Sequence, residues 1–298
     1  MRFRADLTLL IVSILWGSAF VAQRVAGQMG SVYLFNGARY LLAALVVYPA
    51  ALRAGRRSGE TPSRDQYFWM LAAGFLLFLG SALQQAGLVY TTAGNAGFIS
   101  GLYVVFIPVA LFIFWRERQH WLSILAVILA VGGAYLLSTA GRFEVRAGDA
   151  LEAAGALFWT FHVIILGKIA SRYESISFSV GQLVICGVLN LVVGLFTESV
   201  PSFNVPLIAV VAYTAFLSLG LSYTLQIWAQ KHTPPADAAL ILSLESVFAV
   251  TSGWLVLGER LSGIQVFGCV LIFAGVILSQ LKRWNSGTIN PDNLMEGR

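Results

Sequence analysis

Charge is what this chain has least of. Only 11% of its 298 residues are Asp, Glu, Lys or Arg, while 58% are hydrophobic and the mean hydropathy is +0.78. A soluble domain carries roughly 25% charge, so most of this chain must face something other than water. Cysteine is scarce too. Cys186 and Cys269 both lie inside apolar runs, which excludes a disulfide framework or a cysteine-built metal site. Of the histidines, His120 and His232 fall at predicted span ends, so intramembrane histidine pairs for a redox cofactor are excluded. There is no HExxH, GxGxxG, GxSxG or P-loop, and ATP hydrolysis within the chain is not expected. No TVGYG sequence suggests a channel filter. We therefore expect no cofactor, no metal site, no catalytic residue and no enzyme activity. The pI of 9.4 arises from basic residues dispersed among short loops, so nucleic acid is not an expected partner either.

What the chain has is apolar length. A helix needs about 20 apolar residues to cross a bilayer. Such runs occur near 6–26, 31–52, 67–89, 94–115, 121–138, 149–170, 177–197, 205–229, 235–257 and 263–281. Strand alternation is absent, and only helices satisfy their own backbone in lipid. The expected fold is all-α, a polytopic membrane protein of ten transmembrane helices whose main partner is the lipid bilayer. With the N-terminus cytoplasmic, fourteen Lys and Arg residues, from Arg2 and Arg4 to Arg283 and Arg298, fall inside. Arg24, Arg142, Arg146 and Arg260 fall outside, and only Arg39 remains within a span. This positive-inside bias puts both termini in the cytoplasm. Met1-Arg2-Phe3-Arg4 before an apolar run imitates a signal peptide, but cleavage would remove a helix that has a counterpart in the repeat described next. Residues 285–298 are polar and read as a disordered cytoplasmic tail.

The halves resemble each other. Leu83-Gln84 matches Leu225-Gln226, Thr91 matches Thr233, Glu117-Arg118 matches Glu259-Arg260 and Gly133 matches Gly275, all at an offset of 142. One inserted residue lets Trp16 match Trp159. Residues 1–140 and 141–284 each hold five spans. Because five is odd, the second half starts on the opposite side of the membrane. The reading is two inverted five-helix repeats, an arrangement found in secondary transporters with the substrate site near the midplane.

A polar residue in a span is costly and marks a candidate site. Arg39 lies in the second span and Glu245 near the middle of the ninth. Either they pair with each other and hold the bundle together, or they face a solute. In the second case Arg39 suits a carboxylate, and Glu245 suits an ammonium or a coupling proton. His162 could relay protons, though a lone intramembrane histidine more often bonds helix to helix. Asn36, Gln84, Gln182 and Gln226 bring amides into spans, with Gln84 and Gln226 at equivalent places. Trp16, Tyr103, Trp159 and Tyr223 combine an apolar ring with a polar handle. These eleven residues are the candidates for a central substrate-binding cavity.

Several segments carry a family resemblance. Ile14-Leu15-Trp16-Gly17-Ser18-Ala19-Phe20 resembles the opening of EamA-type members of the drug/metabolite transporter superfamily. Ala38-Arg39-Tyr40-Leu41-Leu42-Ala43-Ala44 resembles their second-span arginine motif. Gly87-Leu88-Val89-Tyr90-Thr91-Thr92-Ala93-Gly94-Asn95-Ala96 resembles their turn between the third and fourth spans, and Leu255-Val256-Leu257-Gly258-Glu259-Arg260 the close of the ninth. The resemblance covers nearly the whole chain as two tandem repeats. The family often has proline after the residues matching Leu102-Tyr103 and Leu244-Glu245. Here Val104 and Ser246 stand there, which leaves open where the helices break. The second half has Gln182 where the first has Arg39. Within the family the chain looks most like the YddG-like exporters of aromatic and other amino acids.

The resemblance implies export of amino acids and related small metabolites by alternating access, through a prokaryotic cytoplasmic (inner) membrane, by a chain functional as a monomer. Purines, nucleotide sugars and cationic drugs are the alternative solutes. A channel would pass solute without saturation or counterflow, and a membrane enzyme would convert its substrate in detergent without needing two compartments.

Overall fold

The computed structural model of the chain describes residues 1–27, 31–58, 63–91, 93–141, 145–200, 205–257 and 261–285. Every regular element among them is a helix. The first three spans are α1 (Arg2–Gly27), α2 (Tyr33–Ser58) and α3 (Arg64–Tyr90). The fourth is divided into α4 (Ala93–Ser100) and α5 (Tyr103–Trp115). The fifth to seventh are α6 (Trp121–Thr139), α7 (Asp149–Ile169) and α8 (Ser175–Thr197). The eighth comprises α9 (Val205–Tyr213), a π-helical stretch (Thr214–Leu221) and α10 (Ser222–Gln230). The ninth is divided into α11 (Pro235–Leu242) and α12 (Glu245–Leu257), and α13 (Gly263–Asn285) is the tenth. Ten paths are thus long and apolar enough to cross a membrane. The residues of the expected tail at 286–298, together with Arg142 and the Glu259-Arg260 motif, lie outside the described residues.

The helices are not amphipathic in the manner of a water-soluble bundle. Their outer faces expose Phe68, Phe75, Ile113, Phe114, Ile128 and Phe267. Such a surface is costly in water and neutral against acyl chains. Polar groups turn inward instead, where Asn36, Gln182, Asn190 and Gln226 are fully buried.

Both broken spans break in the same way and without proline. In the fourth, the N–H of Leu102 donates to Ile99 O (3.1 Å) and that of Val104 to Gly101 O (3.1 Å). In the ninth, the N–H of Leu244 donates to Ile241 O (3.2 Å) and that of Ser246 to Ser243 O (3.3 Å). These i→i+3 bonds tighten one turn and restart the helix at Tyr103 and at Glu245. The two sets of bonds are related by the offset of 142, so a backbone turn makes the break that proline makes elsewhere in the family pattern.

Successive spans run in alternate directions, and the contacts at the two ends follow this. At the end holding Arg2, hereafter the first end, Arg2 pairs with Asp237, and Lys168 with Glu117 at 2.6 Å. At the second end, Glu198 beyond α8 caps α2. Its carboxylate accepts the backbone N–H groups of Val32 (2.8 Å), Tyr33 (3.1 Å) and Leu34 (2.9 Å) and the hydroxyl of Ser31 (3.0 Å). Partial burial pushes this carboxyl up, but the hydrogen bonds outweigh it and hold it below the usual glutamate value. A folded-state pKa below the unfolded one contributes stability above the unfolded value, lost as pH falls through the folded value. Glu198→Gln is therefore expected to cost about 1 kcal/mol near neutral pH, as loss of a helix cap does. The difference from wild type should shrink in acid, which thermal unfolding in detergent at two pH values would read.

Helices from the two sequence halves pack on each other throughout. The most extensive seams are α2 along α8 and α6 along α13, and α3 packs on α7 and α8 while α1 packs on α10 and α12. In the α6–α13 seam a Cβ on Gly133 would lie 2.5 Å from Gly268 O, and one on Gly275 2.6 Å from Ala126 O. These two contacts exchange under the offset of 142. In the α2–α8 seam a Cβ on Gly194 would lie 2.8 Å from the backbone nitrogen of Leu34. At such distances only glycine permits the approach.

Candidate functional site

A cavity of about 600 Å³, counting its open mouth, lies between the halves. It is lined by Trp16, Phe20 and Gln23 of α1, Arg39 and Tyr40 of α2, Gln84 of α3, Ser100 of α4 and Tyr103 of α5. The remaining wall is Trp159 and Val163 of α7, Ser218 and Leu219 of the π-helical stretch, Tyr223 of α10 and Glu245 of α12. Seven of the eleven sequence candidates stand in this wall: Trp16, Arg39, Gln84, Tyr103, Trp159, Tyr223 and Glu245. The lining runs from mid-bundle toward the second end. Toward the first end the bundle closes over Leu9, Val12, Ile107, Leu111, Ala238 and Leu242, all buried in one cluster. Ser13 Oγ donates to Ile241 O at 2.9 Å, and Thr233 Oγ1 donates to Asp6 at 2.9 Å. The Arg2–Asp237 pair lies beyond them.

One side of the aromatic wall is fixed by a hydrogen bond from Trp16 and by ring packing around Tyr223. Trp16 Nε1 donates to the carbonyl of Ser218 at 2.8 Å. That carbonyl belongs to the π-helical stretch, whose wide turns leave backbone oxygens available to other partners. Tyr223 packs on Trp16 with ring centroids 5.3 Å apart and on Tyr40 at 6.4 Å.

Among the described residues Arg39 and Glu245 are the charged groups of the wall, and they do not pair with each other. Arg39 is 3% exposed, and among the described residues it forms no ion pair. Its Nε donates to Asn36 Oδ1 at 3.0 Å, and its guanidinium lies 5.0 Å from the Phe35 ring centroid and 5.4 Å from that of Tyr40. Glu245 is 8% exposed and accepts a hydrogen bond from Tyr103 at 3.2 Å. These two residues each begin a helix after a break, and they sit 142 residues apart.

The other four candidates stand behind the wall. Asn36 positions Arg39 and donates to Ser81 O at 3.2 Å. His162 Nε2 meets Gln182 Oε1 at 3.0 Å, and its ring packs edge-on against Trp159 and Tyr223. His162 and Gln182 therefore join α7 to α8. Gln226 is fully buried, and its amide makes no hydrogen bond among the described residues. Sequence reasoning missed Phe20, Gln23, Tyr40, Ser100, Val163, Ser218 and Leu219 in the wall. Tyr40 and Ser100 carried the same signal as the polar candidates, since each is a polar group inside an apolar run.

Two consecutive segments, 3–139 and 146–281, match the model of the EamA-like transporter family. The chain belongs to the EamA-like transporter family. Membership makes it a membrane transporter, and both the family and its relatives are described as transporters rather than enzymes. An uncharacterized transporter of Archaeoglobus fulgidus is 32% identical over 281 residues, covering 94% of this chain and 87% of the relative. The threonine/homoserine exporter RhtA of Salmonella typhimurium is 25% identical over 177 residues, covering 58% of this chain and 59% of the relative. A solved crystal structure with 18% identity superposes with a TM-score of 0.79 over 94% of this chain and 97% of the other. That likeness establishes a shared fold.

Proposed function

We propose that this protein is a secondary transporter that exports zwitterionic metabolites, amino acids foremost, across a prokaryotic cytoplasmic membrane by alternating access. One observation carries the reading. Among the described residues a single cation, Arg39, and a single carboxylate, Glu245, line the same aromatic cavity without neutralising each other. Charges left alone in a low-dielectric wall are costly. An α-amino acid brings a carboxylate for the guanidinium and an ammonium for the glutamate, and so removes both costs at once. A cationic drug would leave Arg39 facing a like charge. A nucleotide sugar would bring phosphates toward Glu245. Purines use neither charge. The six aromatic rings of the wall suit an apolar or aromatic side chain, which supports the finer likeness to YddG-like exporters. The name of the Salmonella relative points to the same solute class.

The exchanging contacts of Gly133 and Gly275, and the matched breaks at Tyr103 and Glu245, support two inverted halves at 1–140 and 141–284. The positive-inside bias puts the first end in the cytoplasm. The cavity is then sealed from the cytoplasm and opens toward the outer face, the state from which an exporter releases its load.

Uptake and counterflow in liposomes test this reading. Saturable uptake of zwitterionic amino acids is expected, accelerated by the same solute on the far side. Analogues lacking the ammonium or the carboxylate should compete poorly. Saturable counterflow of purines or cationic dyes, with amino acids inert, would overturn it.

A further inference from the structure

Glu152 lies one turn into α7 and is fully buried. It is not part of the cavity wall, and the zwitterion reading makes no use of it. Its Oε2 accepts a hydrogen bond from Ser100 Oγ at 2.6 Å, while its buried Oε1 makes no hydrogen bond among the described residues. Gln84 Nε2 donates to the same Ser100 Oγ at 3.1 Å. Ser100 has one hydroxyl proton, and with Gln84 as donor that proton is directed to Glu152. Gln84 and Ser100 both line the cavity. A continuous polar line therefore joins the solute space to this acid.

Among the described residues no countercharge meets it. From α3 the carboxyl faces Gly87, where a Cβ would lie 2.8 Å from Oε1. From α4 it faces Ser100. Asp149, one turn earlier on α7 and of the same sign, is bonded by Thr91 and by the backbone N–H of Arg146 at 2.7 Å. On the other helices packed against α7, the titratable groups are engaged elsewhere. Tyr103 of α5 bonds Glu245, Tyr223 of α10 packs on Trp16 and His162, and Asp237 of α11 pairs with Arg2. His162, on α7 itself, is bonded to Gln182. Among the described residues Glu152 forms no ion pair.

The fold does not require an acid at this place. With the offset of 143 that relates Trp16 to Trp159, the counterpart of Glu152 is Leu9, a fully buried core residue. An ionised carboxylate buried without a partner is strongly disfavoured, whereas a carboxylic acid with a proton on Oε1 is tolerated. We infer that Glu152 is the seat of a coupling proton, linked to solute occupancy through Ser100 and Gln84. The proton leaves when the cavity changes access and hydrates the acid. Coupling to transport rests on the transporter reading; occupancy of Glu152 by a proton does not.

Two measurements on the full-length protein keep these apart. Infrared difference spectra across a pH step, in detergent and without solute, should show the carbonyl stretch of a protonated carboxylic acid that is missing in Glu152→Gln. An unchanged band in that variant overturns the inference. In liposomes, Glu152→Gln should keep solute exchange but lose accumulation driven by a pH gradient, falling to the level of gradient-free vesicles. Equal gradient dependence in wild type and variant, or wild-type accumulation driven by sodium instead, also overturns it. If Glu152→Gln does not fold, Glu152→Asp serves. It retracts the acid from Ser100 by one methylene, and a shifted band with weakened coupling is expected, against an unchanged band and coupling. If no amino acid is transported at all, the zwitterion reading fails and the infrared result still decides the proton site.

Discussion

Arg39→Gln is expected to weaken binding of carboxylate-bearing solutes by about tenfold to a hundredfold, since a hydrogen bond to a charged group is worth roughly 1.5–3 kcal/mol. Arg39 is buried, already oriented by Asn36, and flanked by the rings of Phe35 and Tyr40. The guanidinium fork thus reaches the cavity without having to be ordered by the solute. Glutamine keeps two donors on a similar stem but removes the charge and the bidentate geometry. The loss should fall on acids alone. An amino-acid amide, which offers no carboxylate, should bind wild type and variant alike, and solute-dependent tryptophan fluorescence can read both. Arg39→Lys is expected to restore little, because an ammonium offers a point charge where a planar fork is held. Equal loss for the acid and its amide would show that the arginine only supports the bundle.

Gly133→Leu is expected to disrupt the scaffold strongly. Any Cβ at this position meets the carbonyl oxygen of Gly268 at 2.5 Å and the Ile272 backbone nitrogen at 2.8 Å. Backbone atoms cannot rotate aside, so α6 and α13 must separate along their seam. Overpacking of this kind costs about 1–3 kcal/mol and more where backbone must shift. Gly132 is the internal control, because a Cβ there meets nothing within 4 Å. Gly132→Leu should change the detergent unfolding temperature little, as surface substitutions do within about 0.5 kcal/mol. Similar melting of the two variants would show that the seam is not close-packed in the membrane protein.

Much of the fold was legible because lipid imposes length. Apolar runs near 121–138 and 149–170 became helices at Trp121–Thr139 and Asp149–Ile169. α2 runs past its apolar run at 52 to Ser58, because Leu52, Arg53 and Ala54 are good helix formers wherever lipid ends. The breaks before Tyr103 and Glu245 were not legible, nor was the π-helical stretch at Thr214–Leu221. Hydropathy is continuous across all three, and the cause lies in backbone bonding. The same limit applied at the cavity. A polar residue in a span must avoid lipid, and this rule found Arg39, Glu245 and His162 alike. It could not say that the first two face open space while His162 spends its bonding on Gln182. Glu152 escaped notice because it stands three residues after Asp149, where an acid reads as the edge of a span rather than its interior.

The glycine-lined seams also determine which parts of the molecule can be independent. Each seam joins one helix from either half of the sequence, α2 with α8 and α6 with α13, at backbone-contact distance. The sequence halves are therefore not the mechanical ones. Like two doors hung from two shared posts, the remaining helices are suspended between pairs that belong to both halves. Any rigid unit that includes a seam therefore draws on both halves of the sequence.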